Sequence, residues 1–161
     1  MIRMIVAAGA DISGNFVIGK NTALPWQIAA ELRWFRTNTL GRTLVMGRKT
    51  YESLPVRPLP GRTTIVMTSS LVFPDSNVQI IRSPQEVLDK DVIICGGAAV
   101  YKEFLPYTDE LFFTEIFGTF EGDVHFPLRR EELARDFRVA MDIPVKTEGM
   151  YSWKHFLYHR R

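Results

Sequence analysis

The sequence is poor in several things, and each scarcity narrows the field. Cys95 is the single cysteine in 161 residues, so no intrachain disulfide can form and a reducing, cytoplasmic setting is expected. Histidine is almost as rare, at three residues. Asp123 and His125 in "EGDVHFP" look like a metal or acid–base pair, but His155 and His159 lack the spacing of zinc ligands, and no metal is expected. Excess charge is slight, at +2, and cationic stretches are short, such as Arg129-Arg130 and Arg160-Arg161. That is too weak a basic bias to argue for nucleic acid. No apolar run is long enough to span a membrane. The opening "MIRMIVAAGAD" has a basic residue and a short apolar run, but Asp11 ends it, so a buried strand is expected rather than a signal peptide. Repeats, low-complexity tracts and linkers are missing too, which leaves one domain over 1–161, long enough for a proper core.

What is present alternates between two periods. Short apolar runs predict strands at 2–8, 43–46, 63–69, 78–81, 92–95 and 110–116, with two more near 136–142 and 150–158. Helical patterns cover 28–38, 48–54, 84–89 behind Ser83-Pro84, and 97 to about 105. Residues 9–25 and 55–61 read as loops rich in glycine and proline. The alternation predicts an α/β fold of three layers, with about four helices around a mostly parallel sheet of about eight strands. The tail has no helix between its last two strands, so they are expected to pair as an antiparallel hairpin. Ligands of such sheets bind beyond the carboxyl ends of the strands. Those ends carry the loop after Ala8, "GRKT" after Met46, "TSS" after Met67 and Gly96-Gly97 after Cys95.

Three stretches carry candidate chemistry. In "VIICGGAAVY" (92–101) two glycines join a buried strand to a helix. They either seat a pyrophosphate on the helix N-terminus or make a tight turn. In "VMGRKTYESL" (45–54) Arg48 and Thr50 fall in a first helical turn, where an arginine opposes the helix dipole unless it answers an anion. Arg48, Ser69 and Arg82 could together hold a phosphate monoester, and a ribose 2′-phosphate would mean NADP rather than NAD. In "ALPWQIAAELRWF" (23–35) Glu31 shares a helical face with Ile28, Leu32 and Phe35, with Trp34 close by. Either the helix turns Glu31 to water, or the carboxylate faces inward and needs a partner there. A ligand edge with two adjacent N–H groups, such as a pterin's, would supply a bidentate one.

With these residues in view the chain resembles the dihydrofolate reductase family along essentially its whole length. The resemblance is carried by "MIVAA", "VIGKNTALPW" (17–26), "ELRWF" (31–35), "VMGRKTYESL", "RPLPGR" (57–62), "GGAAVY" (96–101), "FLPYTDELFFTEI" (104–116) and "EGDVHFP" (121–127). It implies reduction of dihydrofolate by NADPH, with a hydride to C6 and a proton to N5. Glu31 matches the family's pterin-binding acid, Thr114 the threonine supporting it and Trp26 the tryptophan closing the site. Ile5, Ala7, Leu32, Phe35, Leu54 and Cys95 match the pocket walls, and Arg62 the arginine that clamps the substrate's glutamate. Cofactor matches are Ala7, Ile18, Gly19, Gly47, Arg48, Lys49, Thr50, Thr68, Ser69, Ser70 and Arg82, with the turn and helix of Gly96, Gly97, Ala98, Ala99, Val100 and Tyr101. Gly122 and Asp123 match a loop that steadies the mobile loop around Ile18 and Gly19. The family's antifolates, 2,4-diaminopyrimidines and methotrexate-like pteridines, are implied ligands, and a monomer is expected.

The chain departs from the family pattern in places. "GADISGNFVIGK" (9–20) is longer than the common bacterial loop, "SLPVRPLP" (53–60) carries one extra residue, and Leu24 replaces a frequent methionine. Ala98-Ala99 stand where some members have an arginine, which leaves NADPH preference to Arg48, Ser69 and Arg82. Two other readings are a related pyrimidine reductase of riboflavin synthesis on the same fold, and a nucleotide-binding module without catalysis. Trp26, Glu31, Arg62 and Thr114 together argue against both.

Overall fold

Strand β1 (Ile2–Ala10) is buried on both faces along most of its length, as its unbroken apolar run requires in the middle of a parallel sheet. The structure, a computed structural model, describes residues 1–21, 23–70 and 73–161. Beside β1 lie β6 (Val92–Ile94) and β7 (Glu110–Ile116), both parallel to it. Beyond β6 follow β3 (Thr43–Gly47), β4 (Thr63–Met67) and β5 (Gln79–Ile81), again parallel. Beyond β7 lies the long antiparallel β11 (Tyr151–Arg160). Helices α1 (Ala29–Thr39), α2 (Arg48–Glu52), α3 (Ala98–Phe104) and α4 (Arg130–Asp136) complete the α/β plan.

The two faces of β1 divide the core. Ile2, Met4, Val6 and Ala8 join Val100, Tyr101 and Phe104 of α3 and Leu133 of α4. Ile5 points to the opposite face and joins Tyr51 of α2 with Trp34 and Phe35 of α1. Each fully buried side chain of this size contributes about 1.5–3 kcal/mol. Helix α1 begins with no side-chain cap of its own. Its Ala29 N–H instead donates to Glu148 Oε2 at 3.0 Å, a distant carboxylate suited to a helix start.

The structure corrects the sequence reading in four places. Residues 9–25 are not all loop, because β1 runs to Ala10 and β2 (Phe16–Gly19) pairs antiparallel with it. β2 in turn pairs with β8 (Val124–His125). Helix α4 was not expected; its polar sequence, "REELARD", buries only Leu133 and so shows little period. Residues 84–89 make only a 3-10 turn at Pro84–Glu86. The tail does pair antiparallel, but as two pieces along the outer edge of β11: β9 (Phe137–Asp142) and β10 (Lys146–Glu148). Among the described residues, no helix is long and apolar enough to cross a membrane.

Candidate active site

Strand register sets three residues side by side. Ala7 of β1 pairs with Thr114 of β7, and Thr114 pairs with His155 of β11. Helix α1 lies over this row and brings Glu31 to it. Thr114 Oγ1 and His155 Nδ1 are 2.7 Å apart, and His155 Nε2 is 3.6 Å from Glu31 Oε1. Trp34 stacks on the His155 ring at 3.7 Å with an interplanar angle of 11°.

Glu31 therefore faces inward, with its side chain 11% exposed. Oε1 is buried and has no hydrogen-bond partner among the described residues. Burial pushes the carboxyl up to about 7, against the opposing pull of the Thr114 hydroxyl and of Lys146. Burial, reinforced by Lys146, pushes His155 down to about 4. A carboxylate so placed needs N–H donors, and the histidine nitrogen facing it, His155 Nε2, stands at 3.6 Å.

The expected pocket walls divide. Ile5, Phe35, Leu54 and Cys95 meet in one apolar cluster with Phe112 and Trp34. Ala7 joins a second cluster with Trp26, Ile28, Ile116 and Trp153. Leu32, expected beside them, is 69% exposed on α1 and belongs to neither cluster. Burial pushes the Cys95 thiol up to about 12, which makes it an inert small apolar group. At the end of α1, Arg62 donates to Thr39 Oγ1 at 3.2 Å and to the Pro60 carbonyl at 3.0 Å. Burial and the nearby Arg36 lower its pKa, as for a cation without its anion.

Two turns at adjoining strand ends make the other half of the site. The Gly47 N–H donates to the Gly96 carbonyl at 2.8 Å, and a Cβ on Gly97 would lie 3.5 Å from Thr50 Oγ1. Gly96 has φ +110°, which only glycine adopts readily, and a Cβ there would meet the Tyr101 ring at 3.2 Å. Neither α2 nor α3 has a side-chain cap, which leaves their first-turn N–H groups for an anion. The pair of turns thus fits a pyrophosphate. A third turn gathers Thr68, Ser69, Ser70 and Arg82, whose guanidinium donates to the Thr68 and Ser70 carbonyls. Arg48 is engaged by Glu52 at 2.6 Å, while Lys49 is exposed. Ala98 and Ala99 begin α3, whereas Val100 and Tyr101 are core residues, with the Tyr101 hydroxyl donating to the Ile5 carbonyl at 2.7 Å.

The family model described as dihydrofolate reductase matches residues 1–158. The chain belongs to the dihydrofolate reductase family. Dihydrofolate reductase of Bacillus subtilis (strain 168) is 42% identical over 135 residues, 79% of this chain and 76% of that one. That of Staphylococcus aureus (strain Mu50 / ATCC 700699) is 35% identical over 145 residues, 89% of each chain. The solved dihydrofolate reductase from Enterococcus faecalis, complexed with NADP(H) and RAB-propyl, superposes with a TM-score of 0.84 at 35% identity. The match covers 99% of this chain and 96% of that one. The activity is NADPH-dependent reduction of dihydrofolate, and the riboflavin-pathway reading is not favoured.

In this reductase Ile18 and Gly19, expected in a mobile loop, end strand β2, and that end is bound from behind. The Asp123 N–H donates to the Gly19 carbonyl at 3.1 Å, and a Cβ on Gly122 would lie 2.5 Å from that carbonyl oxygen. His125 turns away from Asp123 and meets Asp11 at 3.4 Å. Sequence reasoning missed the places of His155 and Arg36 in the site, and set Trp34 near Glu31 without its stacking on His155. The first had a signal: Trp153 and His155 are two apart in a strand, so a histidine occupies an inward position beside a core tryptophan.

Proposed function

We propose that Glu31 is the substrate-binding acid of this dihydrofolate reductase. The observation carrying this is the buried Oε1 without a protein donor, at the edge of an apolar cluster. The pterin ring N–H and exocyclic amino group pair with the ionised carboxylate along the edge that it turns to the pocket. Thr114 supports the acid, and Trp26 closes the site, its buried Nε1–H free of protein partners among the described residues. Ile5, Ala7, Phe35, Leu54 and Cys95 wall the rings, and Leu32, exposed on α1, covers the bound substrate from outside. Arg62 clamps the glutamate carboxylate with its planar fork.

NADPH supplies the hydride that reaches C6. Gly47, Thr50, Gly96, Gly97, Ala98 and Ala99 would hold its pyrophosphate, and Ser69 with Arg82 its 2′-phosphate, with Thr68 and Ser70 shaping that turn. Arg48 would exchange Glu52 for a phosphate, Lys49 adds positive potential, and Val100 and Tyr101 support the seat from within. Ile18 and Gly19 cover the nicotinamide end. Catalysis is mainly positioning. Glu31 holds the ring in register and polarises it, and the proton reaches N5 from water. This reading extends to antifolates, whose protonated 2,4-diaminopyrimidine ring offers Glu31 the same two donors. It also extends to a monomer in the cytoplasm that supplies tetrahydrofolate for one-carbon transfer.

The test is dihydrofolate-dependent oxidation of NADPH by wild type and Glu31→Ala. Loss of most turnover in the variant, with NADPH binding retained, supports the assignment. A variant with full activity overturns it.

A further inference from the structure

His155 sits beside the acid, and each of its ring nitrogens faces a polar atom. Nδ1 faces Thr114 Oγ1 at 2.7 Å and Nε2 faces Glu31 Oε1 at 3.6 Å. The ring is 2% exposed and pinned flat against Trp34. A bare Nε2 would set its lone pair against those of Oε1. A proton between them, on Nε2 or on Oε1, removes that repulsion.

When Glu31 is ionised, as pairing with two ligand N–H groups requires, that proton is on Nε2. Nδ1 is then unprotonated and accepts from the Thr114 hydroxyl. We propose that His155 is a positioning residue for Glu31: through the Nε2–H tautomer it supplies the donor that Oε1 lacks, and it turns the other carboxylate edge to the substrate. The proposal rests on Glu31 being the substrate-binding acid.

The charged groups around the ring do not supply that donor in its place. From α1 come Glu31 itself and Arg33, and from β10 come Lys146 and Glu148, all but Glu31 lining a surface groove of about 570 Å³ shared with Trp34 and His155. Arg33 is drawn 3.9 Å to Glu148, and Glu148 also takes the Ala29 N–H at 3.0 Å. Lys146 disfavours a positive charge on His155. The imidazole thus acts as a neutral donor, and from β7 it meets the Thr114 hydroxyl.

The experiment combines a tautomer measurement with a variant pair. In wild type, nitrogen NMR of His155 at neutral pH is expected to show Nε2 protonated and Nδ1 bare; the reverse tautomer overturns the proposal even if no variant folds. In His155→Phe, which keeps an aromatic ring against Trp34, the carboxyl carbon of Glu31 is expected to titrate higher by about half to one pH unit. KM for dihydrofolate at neutral pH is expected to rise severalfold, with kcat changed much less. His155→Gln, which keeps one donor and one acceptor, is expected to recover part of both. Equal Glu31 midpoints in all three proteins overturn the role of His155, while the Glu31→Ala assay separately decides the substrate-binding acid.

Discussion

Changing Glu31 to Gln, or His155 to Phe, should tilt the pH dependence of stability in opposite directions. Burial raises the Glu31 carboxyl from 4.5 to about 7, so the folded protein keeps a proton that the unfolded chain has released. Between those values the folded state binds more protons, and stability falls as pH rises. His155 is lowered from 6.5 to about 4, again mainly by burial. Here the unfolded chain binds the extra proton, so stability from this group is present above pH 6.5 and lost as pH falls towards 4. Each unit of separation corresponds to about 1.4 kcal/mol. Between about pH 5 and pH 7 each group moves stability by about 2 kcal/mol with opposite sign, so the pair nearly cancels in wild type. Glu31→Gln uncovers the histidine, and relative to wild type it should gain about 2 kcal/mol over that interval. His155→Phe uncovers the acid and should lose about 2 kcal/mol over the same interval. Urea unfolding at several pH values measures both differences, provided the slope with denaturant is common to the three proteins. Taking differences from wild type removes the other carboxylates. Parallel curves for all three proteins would mean that neither group titrates differently in the folded state.

Arg62→Gln should raise KM for dihydrofolate by about 10–100-fold with little change in kcat, the range for losing charge-assisted hydrogen bonds. A dihydropterin substrate without the glutamate should not distinguish variant from wild type; an equal loss on both substrates contradicts the clamp. Gly96→Ala forces φ +110° on a residue with a Cβ and crowds Tyr101 at 3.2 Å. It should cost about 1–3 kcal/mol and weaken NADPH binding, read by urea unfolding and by fluorescence titration. Gly122→Ala would place a Cβ 2.2 Å from Val17 Cγ1 and 2.5 Å from Gly19 O. It should lower the melting temperature and raise KM for NADPH; unchanged values for both would show that the contact behind Gly19 relaxes freely.

The sequence by itself determined the architecture around the parallel strands. Apolar runs such as "VIIC" can be buried only in the middle of a sheet, and the helix of "ELRWF" shows its own period. Glycine pairs and an arginine at strand ends marked the phosphate turns, because few residues tolerate such backbones or charges there. β8, β10 and α4, with little apolar pattern of their own, were not legible, nor was β2, whose apolar run lies in a strand only four residues long inside a glycine-rich stretch. They are held by pairing with distant strands or by a single buried leucine. The sequence left open whether Glu31 faces water or the interior, because helical spacing fixes a face but not its rotation against the sheet. The tertiary structure decided it by laying α1 across the Ala7, Thr114 and His155 row. His155 illustrates the same limit. It lies 124 residues (155 − 31) from Glu31 along the chain, and only the antiparallel return of β11 beside β7 brings the two titrating groups together.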